Sequence, residues 1–144
     1  MKKLFTLIAI AVFGISAQAQ TGAKIEFKAK DNTIDYGTVT KEKDNGVRVF
    51  EFTNTGDAPL IITNVQSTCG CTVPSKPKEP IMPGKTGKIE VKYNMNPGPI
   101  RKTITVESNA VNYEGGKVPL KIKGTVVAPS DVNVLEKKKT LMTQ

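Results

Sequence analysis

The chain is a series of short segments in which apolar and polar residues alternate, separated by clusters of turn residues. Seven segments carry this or a similar β-rich pattern: 24–28, 34–39, 47–53, 59–65, 88–93, 103–107 and 118–126. Because successive side chains of a strand point to opposite faces of a sheet, the alternation predicts strands with one buried face. About seven such strands, with turn signals between them, predict an all-β fold and an antiparallel β-sandwich.

Two segments depart from simple alternation. Val47 and Val49 share one face of their strand, whereas Phe50 and Phe52 share the other, so we expect a β-bulge or burial on both faces there. Residues 66–85 contain four prolines, which cannot donate to a strand ladder, so we expect irregular or edge-like structure. The residues expected to hold the two sheets together by packing are Ile62, Val91, Tyr93, Val106 and Ile122.

The N-terminal segment has the pattern of a cleaved signal peptide. Lys2 and Lys3 precede an apolar run over 4–15, and the small residues that follow end at Ala19 in a spacing that signal peptidase accepts. We therefore expect cleavage after Ala19 and an exported mature chain, either periplasmic or at the cell surface or secreted. The expected organisation is a signal peptide (1–19), a β-sandwich domain (20–128) and a mobile basic C-terminal tail (129–144), with no membrane span in the mature chain.

Composition narrows the possible chemistry. The 144 residues include no histidine, which excludes Ser-His-Asp and Cys-His catalysis and every histidine-based metal site. Acidic residues are scattered singly, so no two of them are selected as an acid–base pair. We therefore predict no enzyme activity, no catalytic residues and no cofactor. The pattern also contains no recognition helix or aromatic stacking platform, which argues against nucleic-acid binding.

The chain is strongly basic. Its net charge of +8 would fall to +6 after cleavage, because Lys2 and Lys3 leave without any acid. Six basic residues lie on or beside the outward positions of predicted strands: Lys88, Lys92, Arg101, Lys102, Lys121 and Lys123. Such residues would attract anionic glycans, lipids or proteins of the cell envelope. The plainer interpretation is a solvated face that keeps sheet edges apart, because glutamates are interleaved with the lysines at Glu26, Glu90 and Glu107.

Cys69-Gly70-Cys71 is the constellation with the most distinctive chemistry, and three interpretations are open. The first, which we favour, is a local disulfide, because a bend at Gly70 brings the two Cα atoms within disulfide range. The second is a pair of thiols that bind Cu(I), with Met82 or Met95 added. The third is a pair of small, buried, apolar side chains. A zinc site is poorly supported, since the chain has no third cysteine and no histidine.

The turns carry an ordered series of motifs. The predicted structural turn residues are Asn54, Gly56, Gly70, Pro83 and Gly84. With Cys69-Gly70-Cys71-Thr72 between the first and last of these turns, the series resembles a family of exported bacterial domains of unknown function. That family is similar in turn to the Ig-like domains of the major-sperm-protein and Hydin-like kind. The resemblance covers about residues 34–127 and implies an Ig-like sandwich of seven strands, export, no enzyme activity and no established ligand.

These observations predict a non-catalytic interaction or structural module of the cell envelope. Its partner would be an unknown protein or another envelope component, bound through a sheet face or an edge strand. The alternative is a copper-binding or thiol-redox protein centred on Cys69 and Cys71.

Overall fold

Two four-stranded β-sheets form the domain in a computed structural model that describes residues 21–70 and 72–129. The eight strands found there are β1 (Ile25–Phe27), β2 (Thr33–Thr40), β3 (Val47–Asn54), β4 (Ile62–Ser67), β5 (Thr72–Ser75), β6 (Thr86–Tyr93), β7 (Gly98–Ser108) and β8 (Lys117–Val127). Single 3₁₀ turns at Lys30–Asn32 and Glu114–Gly116 precede β2 and β8. The seven predicted strand segments each correspond to one of these strands, and the eighth is the short β5.

The strand order confirms the Ig-like β-sandwich. The β1 sheet has the order β1-β3-β6-β5, and the β2 sheet has the order β2-β8-β7-β4. This is the arrangement of a constant-type Ig domain whose first strand is divided between the sheets. After β1 the chain crosses to the other sheet, where β2 pairs in parallel with β8, whereas the other strand pairs are antiparallel. The division gives the described residues eight strands where an undivided Ig domain of this type has seven, and it explains why one pair is parallel.

The core lies between the sheets and is built from the inward residues of both. All five residues that the sequence selected for this role are buried: Ile62, Val91, Tyr93, Val106 and Ile122. The ring of Phe27 packs against Phe50 and Phe52, with centroid distances of 6.3 and 5.4 Å. Burial of each such side chain contributes about 1.5–3 kcal/mol, so packing between the sheets stabilises the sandwich.

The phase change in β3 has a different cause from the one expected. The register between β3 and β6 is unbroken from Val47 to Thr53, and Val49 is 44% exposed while Phe50 is fully buried. The expectation of a bulge or of burial on both faces was therefore wrong. The inward position before Phe50 belongs to Arg48, whose guanidinium lies 4.0 Å from the ring centroid of Tyr36. The strand does alternate between its two faces, but the sequence does not show this because the inward position of Arg48 is polar and the outward positions of Val47 and Val49 are apolar.

Prolines occupy strands only where a neighbouring strand is missing. Pro74 lies in β5, the edge strand of the β1 sheet and the one regular element of the segment predicted to be edge-like. Pro119 lies in β8 before Lys121, where pairing with β2 begins. A proline lacks the N–H that a second neighbour would require, so these positions tolerate it.

Several sequence predictions fall outside the described residues. They are the signal peptide over 1–19, the Cys71 half of the predicted disulfide, and the tail beyond residue 129. Within 21–70 and 72–129, no helix has the length and apolar character needed to cross a bilayer.

Candidate functional site

The predicted turn motifs meet at Asn54, the last residue of β3. Its side chain is fully buried and donates from Nδ2 to the carbonyl oxygens of Ala58 and Ile81, both at 2.8 Å. Its Oδ1 accepts from the backbone N–H groups of Gly56 at 3.0 Å and Lys24 at 3.3 Å. One amide thus joins three separate segments of the chain, which gives Asn54 a structural role.

The glycines of these motifs permit close backbone approach. A Cβ atom at Gly56 would lie 2.1 Å from the carbonyl oxygen of Gly22, so only glycine fits against the N-terminal segment. Gly84 has φ +77° and donates its N–H to the carbonyl oxygen of Asn54 at 2.8 Å. The structure therefore brings Asn54, Gly56 and the Pro83-Gly84 turn together at one end of the sandwich.

Cys69 and Gly70 lie at the other end of the sandwich, after β4 in one sheet and before β5 in the other. Thr72 is buried and pairs with Tyr93 at the end of β6. A Cβ atom added at Gly70 would meet no atom within 4 Å. Because Cys71 lies outside the described residues, the disulfide remains a prediction.

The two methionines named as possible copper ligands are placed differently from each other. Met82 lies beside the start of β6, where its carbonyl oxygen accepts from Lys85, so it is roughly 20 Å from the end of β6 that adjoins Thr72. Met95 follows that end of β6, but it is buried and packs against Gly46. Within residues 21–70 and 72–129, no three side chains among His, Cys, Asp and Glu form a group that could hold a metal ion.

A cluster of Tyr36, Asp44 and Arg48, which the sequence analysis did not single out, fixes the turn between β2 and β3. Asp44 accepts two hydrogen bonds from the Arg48 guanidinium, at 2.6 and 3.1 Å, and these lower the pKa of its carboxyl. Tyr36 donates its hydroxyl to the carbonyl oxygen of Gly46 at 2.8 Å, and burial raises the pKa of Tyr36 to about 12. The four-residue spacing of Asp44 and Arg48 predicts an ion pair only on a helix, whereas here Asp44 lies in the turn and Arg48 in β3. The hydrogen bonds of the cluster indicate a structural role.

The structure sorts the surface charges between the two sheets. On the β1 sheet, acidic and basic side chains alternate across neighbouring strands, as in the Glu51–Lys88 pairing and the Lys28–Glu51 ion pair at 2.5 Å. Glu26 and Glu90 also belong to this sheet. The interpretation of interleaved charges is therefore correct for the β1 sheet.

The centre of the β2 sheet is basic instead. Three basic residues at outward positions of β7 and β8, which we call the basic face, line a depression of about 450 Å³ together with Thr33 and Thr103: Arg101, Lys121 and Lys123. Lys102 also lines the depression, but it has the inward parity of the buried Ile100 and Ile104 and lies opposite Ile122. Lys123 lies 3.6 Å from Asp35, but in the described part of the chain the other two residues of the basic face form no ion pair. Glu107 pairs with Lys117 at 3.7 Å and does not neutralise the basic face. The interpretation of interleaved charges thus holds for this sheet at Asp35 and Glu107, and it does not extend to Arg101 and Lys121.

Comparison with known proteins identifies the family. Residues 25–126 match the family described as a protein of unknown function, DUF1573. The chain belongs to this family. It has no match among the curated proteins.

Three solved structures resemble the fold of this family member. A protein of unknown function from Porphyromonas gingivalis W83 covers 76% of the chain at 16% identity with a TM-score of 0.59, and the chain spans 50% of it. The secreted serine protease VesC from Vibrio cholerae covers 76% at 18% identity with a TM-score of 0.51, and the chain spans 25% of it. The ASH / PapD-like domain 7 of human CEP192 covers 72% at 13% identity with a TM-score of 0.52, and the chain spans 85% of it. At these identities the likenesses establish the fold alone, an Ig-like sandwich.

Proposed function

We propose that this chain is an exported, non-catalytic interaction module that binds an acidic segment of a partner protein through the basic face. The periplasm or the cell surface is the proposed compartment, on the strength of the signal-peptide pattern. The Ig-like fold supports a binding role, because such sandwiches present rigid sheet faces and edges to partners. The absence of histidine from the whole sequence supports a role without acid–base or nucleophilic catalysis of the Ser-His or Cys-His type.

The separation of charge between the sheets is the observation that carries the proposal. Residues that serve only solubility need no such separation, and the β1 sheet shows the mixed arrangement that solubility alone would produce. On the basic face, Lys121 and Arg101 form no ion pair with any described residue. A cluster of unpaired positive charge attracts and orients a negatively charged partner.

The spacing of the basic side chains fits an extended acidic peptide. Lys121 and Lys123 are two residues apart on β8, which separates their Cα atoms by roughly 6.8 Å. Arg101 lies opposite Lys123 on β7, roughly 5 Å away across the strand pair. Alternate side chains of an extended peptide repeat at the same interval of roughly 6.8 Å. A membrane surface is less favoured, because the large apolar side chains exposed in the described residues lie outside the depression.

Charge reversal on each sheet tests the proposal. The probe is a capped peptide of alternating glutamate and serine, titrated at low salt, where attraction between exposed charges is least screened. The Arg101→Glu and Lys121→Glu double variant should bind it at least about tenfold more weakly. The matched Lys88→Glu and Lys92→Glu variant makes the same change of charge on the β1 sheet, and it should bind the peptide nearly as well as the unmodified protein.

Equal losses in both double variants would mean that only net charge matters, and the proposal would then be wrong. Binding to vesicles of anionic lipid that exceeds binding to the peptide would also contradict it, since it would indicate a membrane surface as the partner. Export is tested separately by the intact mass of the protein recovered outside the cytoplasm. The mature chain should begin at Gln20, and retention of residues 1–19 would contradict the proposed processing.

A further inference from the structure

The open edges of the two sheets are unequally protected. An exposed strand edge presents unpaired N–H and C=O groups that can pair with another chain, and soluble proteins usually protect it with prolines, bulges, lysines or covering side chains. In the described part of this chain, the strands at sheet edges are β1, β2, β4 and β5. Four further stretches are open because an edge strand covers only part of its neighbour: the start of β3 beside β1, the start of β8 beside β2, the start of β7 beside β4 and the first half of β6 beside β5.

The edges of the β1 sheet formed by β1 and β5 are protected. The side chain of Asn112 covers β1, because its Oδ1 accepts from the N–H of Ile25 at 3.0 Å and its Nδ2 donates to the carbonyl oxygen of Ile25 at 2.9 Å. β5 has only four residues, and Pro74 is one of them. A further strand would find few usable backbone groups at either edge.

The edges of the β2 sheet are protected as well. The pairing of β2 is irregular between Asp35 and Thr38, and that of β4 is irregular after Ile62. Lys76 also donates to the carbonyl oxygen of Ile62 at 3.4 Å. The start of β8, which β2 does not reach, contains Pro119.

The start of β7 contains Pro99 and the open half of β6 contains Lys88, whereas Val47–Phe50 of β3 has no proline, bulge or lysine, and we call it the β3 ledge. β1 pairs with β3 only from Phe52 to Asn54, and the N–H of Lys28 extends the pairing to the carbonyl oxygen of Glu51. The ledge has no proline, and its register with β6 on the other side is unbroken. Val49 is 44% exposed at its centre.

The direction of the backbone groups makes the ledge available for pairing. The carbonyl of Glu51 points toward β1, and that of Gly46 points toward β6, where it accepts from Tyr93. Since backbone groups alternate in direction along a strand, the N–H and C=O of Val49 point to the open side. The N–H of Val47 is covered by Oδ1 of Asn45 at 3.0 Å, which leaves the groups of Val49 as the centre of the ledge.

We propose that the β3 ledge binds an extended segment of a partner protein, which adds as a short strand in line with β1. Main-chain hydrogen bonds to Val49 would hold the segment, and the exposed valine side chain favours a β-branched or aromatic residue beside it. A second copy of this chain is a poorer occupant. Antiparallel pairing of two ledges about Val49 would place Val47 opposite a Glu51 whose carbonyl already accepts from Lys28. The site uses different residues from the basic face and does not depend on it.

Nuclear magnetic resonance on the full mature chain tests this proposal with an uncharged probe, a capped seven-residue peptide of alternating threonine and valine. In the unmodified protein, the amide of Val49 should exchange with solvent faster than that of Phe50, which points toward β6. Added peptide should shift the Val49 amide resonance in a saturable way and slow its exchange at least about tenfold at saturation. The same peptide with every amide N-methylated should have no such effect.

Two variants complete the test. Val49→Pro removes the donor that faces the open side, and it should weaken peptide binding at least about tenfold, the scale of one lost hydrogen bond. Val49→Thr keeps the amide and a β-branched side chain, and it should bind nearly as well as the unmodified protein. If Val49→Pro does not fold, the N-methylated peptide provides the same comparison on the unmodified protein. Absence of any shift at Val49, equal binding of the N-methylated peptide, or shifts confined to β5 or the basic face would overturn the proposal.

Discussion

Replacement of Asn54 by alanine should destabilise the domain more than any change to an exposed polar residue. The variant removes a fully buried amide that makes four hydrogen bonds to backbone groups. Three chain segments then lose their common partner: the N-terminal segment at Lys24, the turn at Gly56–Ala58 and the segment at Ile81. Asn54 is therefore the position where the turn motifs are most sensitive to a single substitution.

The magnitude follows from these contacts. Each hydrogen bond contributes about 0.5–1.5 kcal/mol net, so four of them are worth about 2–6 kcal/mol. The carbonyl oxygen of Ala58 would lose this partner, whereas that of Ile81 keeps its bond from the N–H of Leu60 at 2.8 Å. A carbonyl oxygen left without a partner costs more when water cannot replace the amide. We expect a loss of about 3–5 kcal/mol from the free energy of unfolding, a large fraction of the total of about 5–15 kcal/mol usual for a domain.

Urea denaturation of the mature chain measures this loss, as a lower midpoint with an unchanged m-value. Asn96→Ala is the matched control, because Asn96 is exposed in the turn before β7, and it should change stability by less than about 0.5 kcal/mol. Asn54→Asp keeps the shape but cannot donate to both carbonyl oxygens, so it should be destabilised at neutral pH and partly recover when the carboxyl is protonated. A loss below about 1 kcal/mol for Asn54→Ala would refute the reasoning.

Three further predictions concern other parts of the domain. Because the hydrogen bonds from Arg48 lower the pKa of Asp44, this pair stabilises the folded state above the unfolded pKa of the carboxyl and is lost as the pH falls through the folded pKa. Asp44→Asn should therefore show a smaller fall in melting temperature between about pH 5 and pH 2 than the unmodified protein does, and an unchanged acid response would contradict this. Gly56→Ala should lower stability by about 2–4 kcal/mol through the clash with the N-terminal segment, and a melting temperature within about 2 °C of the original would show that the segment moves easily. Replacing Cys69 and Cys71 together by serine should cost only about 1–2 kcal/mol, since so small a ring constrains little of the unfolded chain; two reactive thiols in the exported protein before reduction would rule out the disulfide.

Local alternation was enough to locate the strands. The segments 88–93, 103–107 and 118–126 lie within β6, β7 and β8, and their inward residues form the core. The physical reason is that a period of two already separates the two faces of a strand before the strand has a partner. The same reasoning failed in β3, because Arg48 occupies an inward position and is accommodated there by Tyr36 from another strand.

What the local pattern could not determine depends on residues that are distant in sequence. The division of the first strand between the sheets is set by the pairing of β1 with β3 and of β2 with β8. The alternation of apolar and polar residues does not indicate which sheet a strand joins. Because the chain leaves β3 after β1, the β3 ledge has no neighbouring strand on that side. It was possible to predict Asn54 and Gly56 as turn residues from their types, but not their contact with the N-terminal segment.

The surface charges show the same limit. The sequence by itself determined that Lys88, Lys92, Lys121 and Lys123 point outward, because their neighbours in the alternation are apolar and buried. Only the tertiary structure decided which lysines share a face with acids, because the β1 sheet collects Glu26, Glu51 and Glu90, whereas the centre of the β2 sheet places Lys121 beside Thr33 and Thr103. Residues far apart in the chain become neighbours through strand order, and strand order is a property of the whole sandwich.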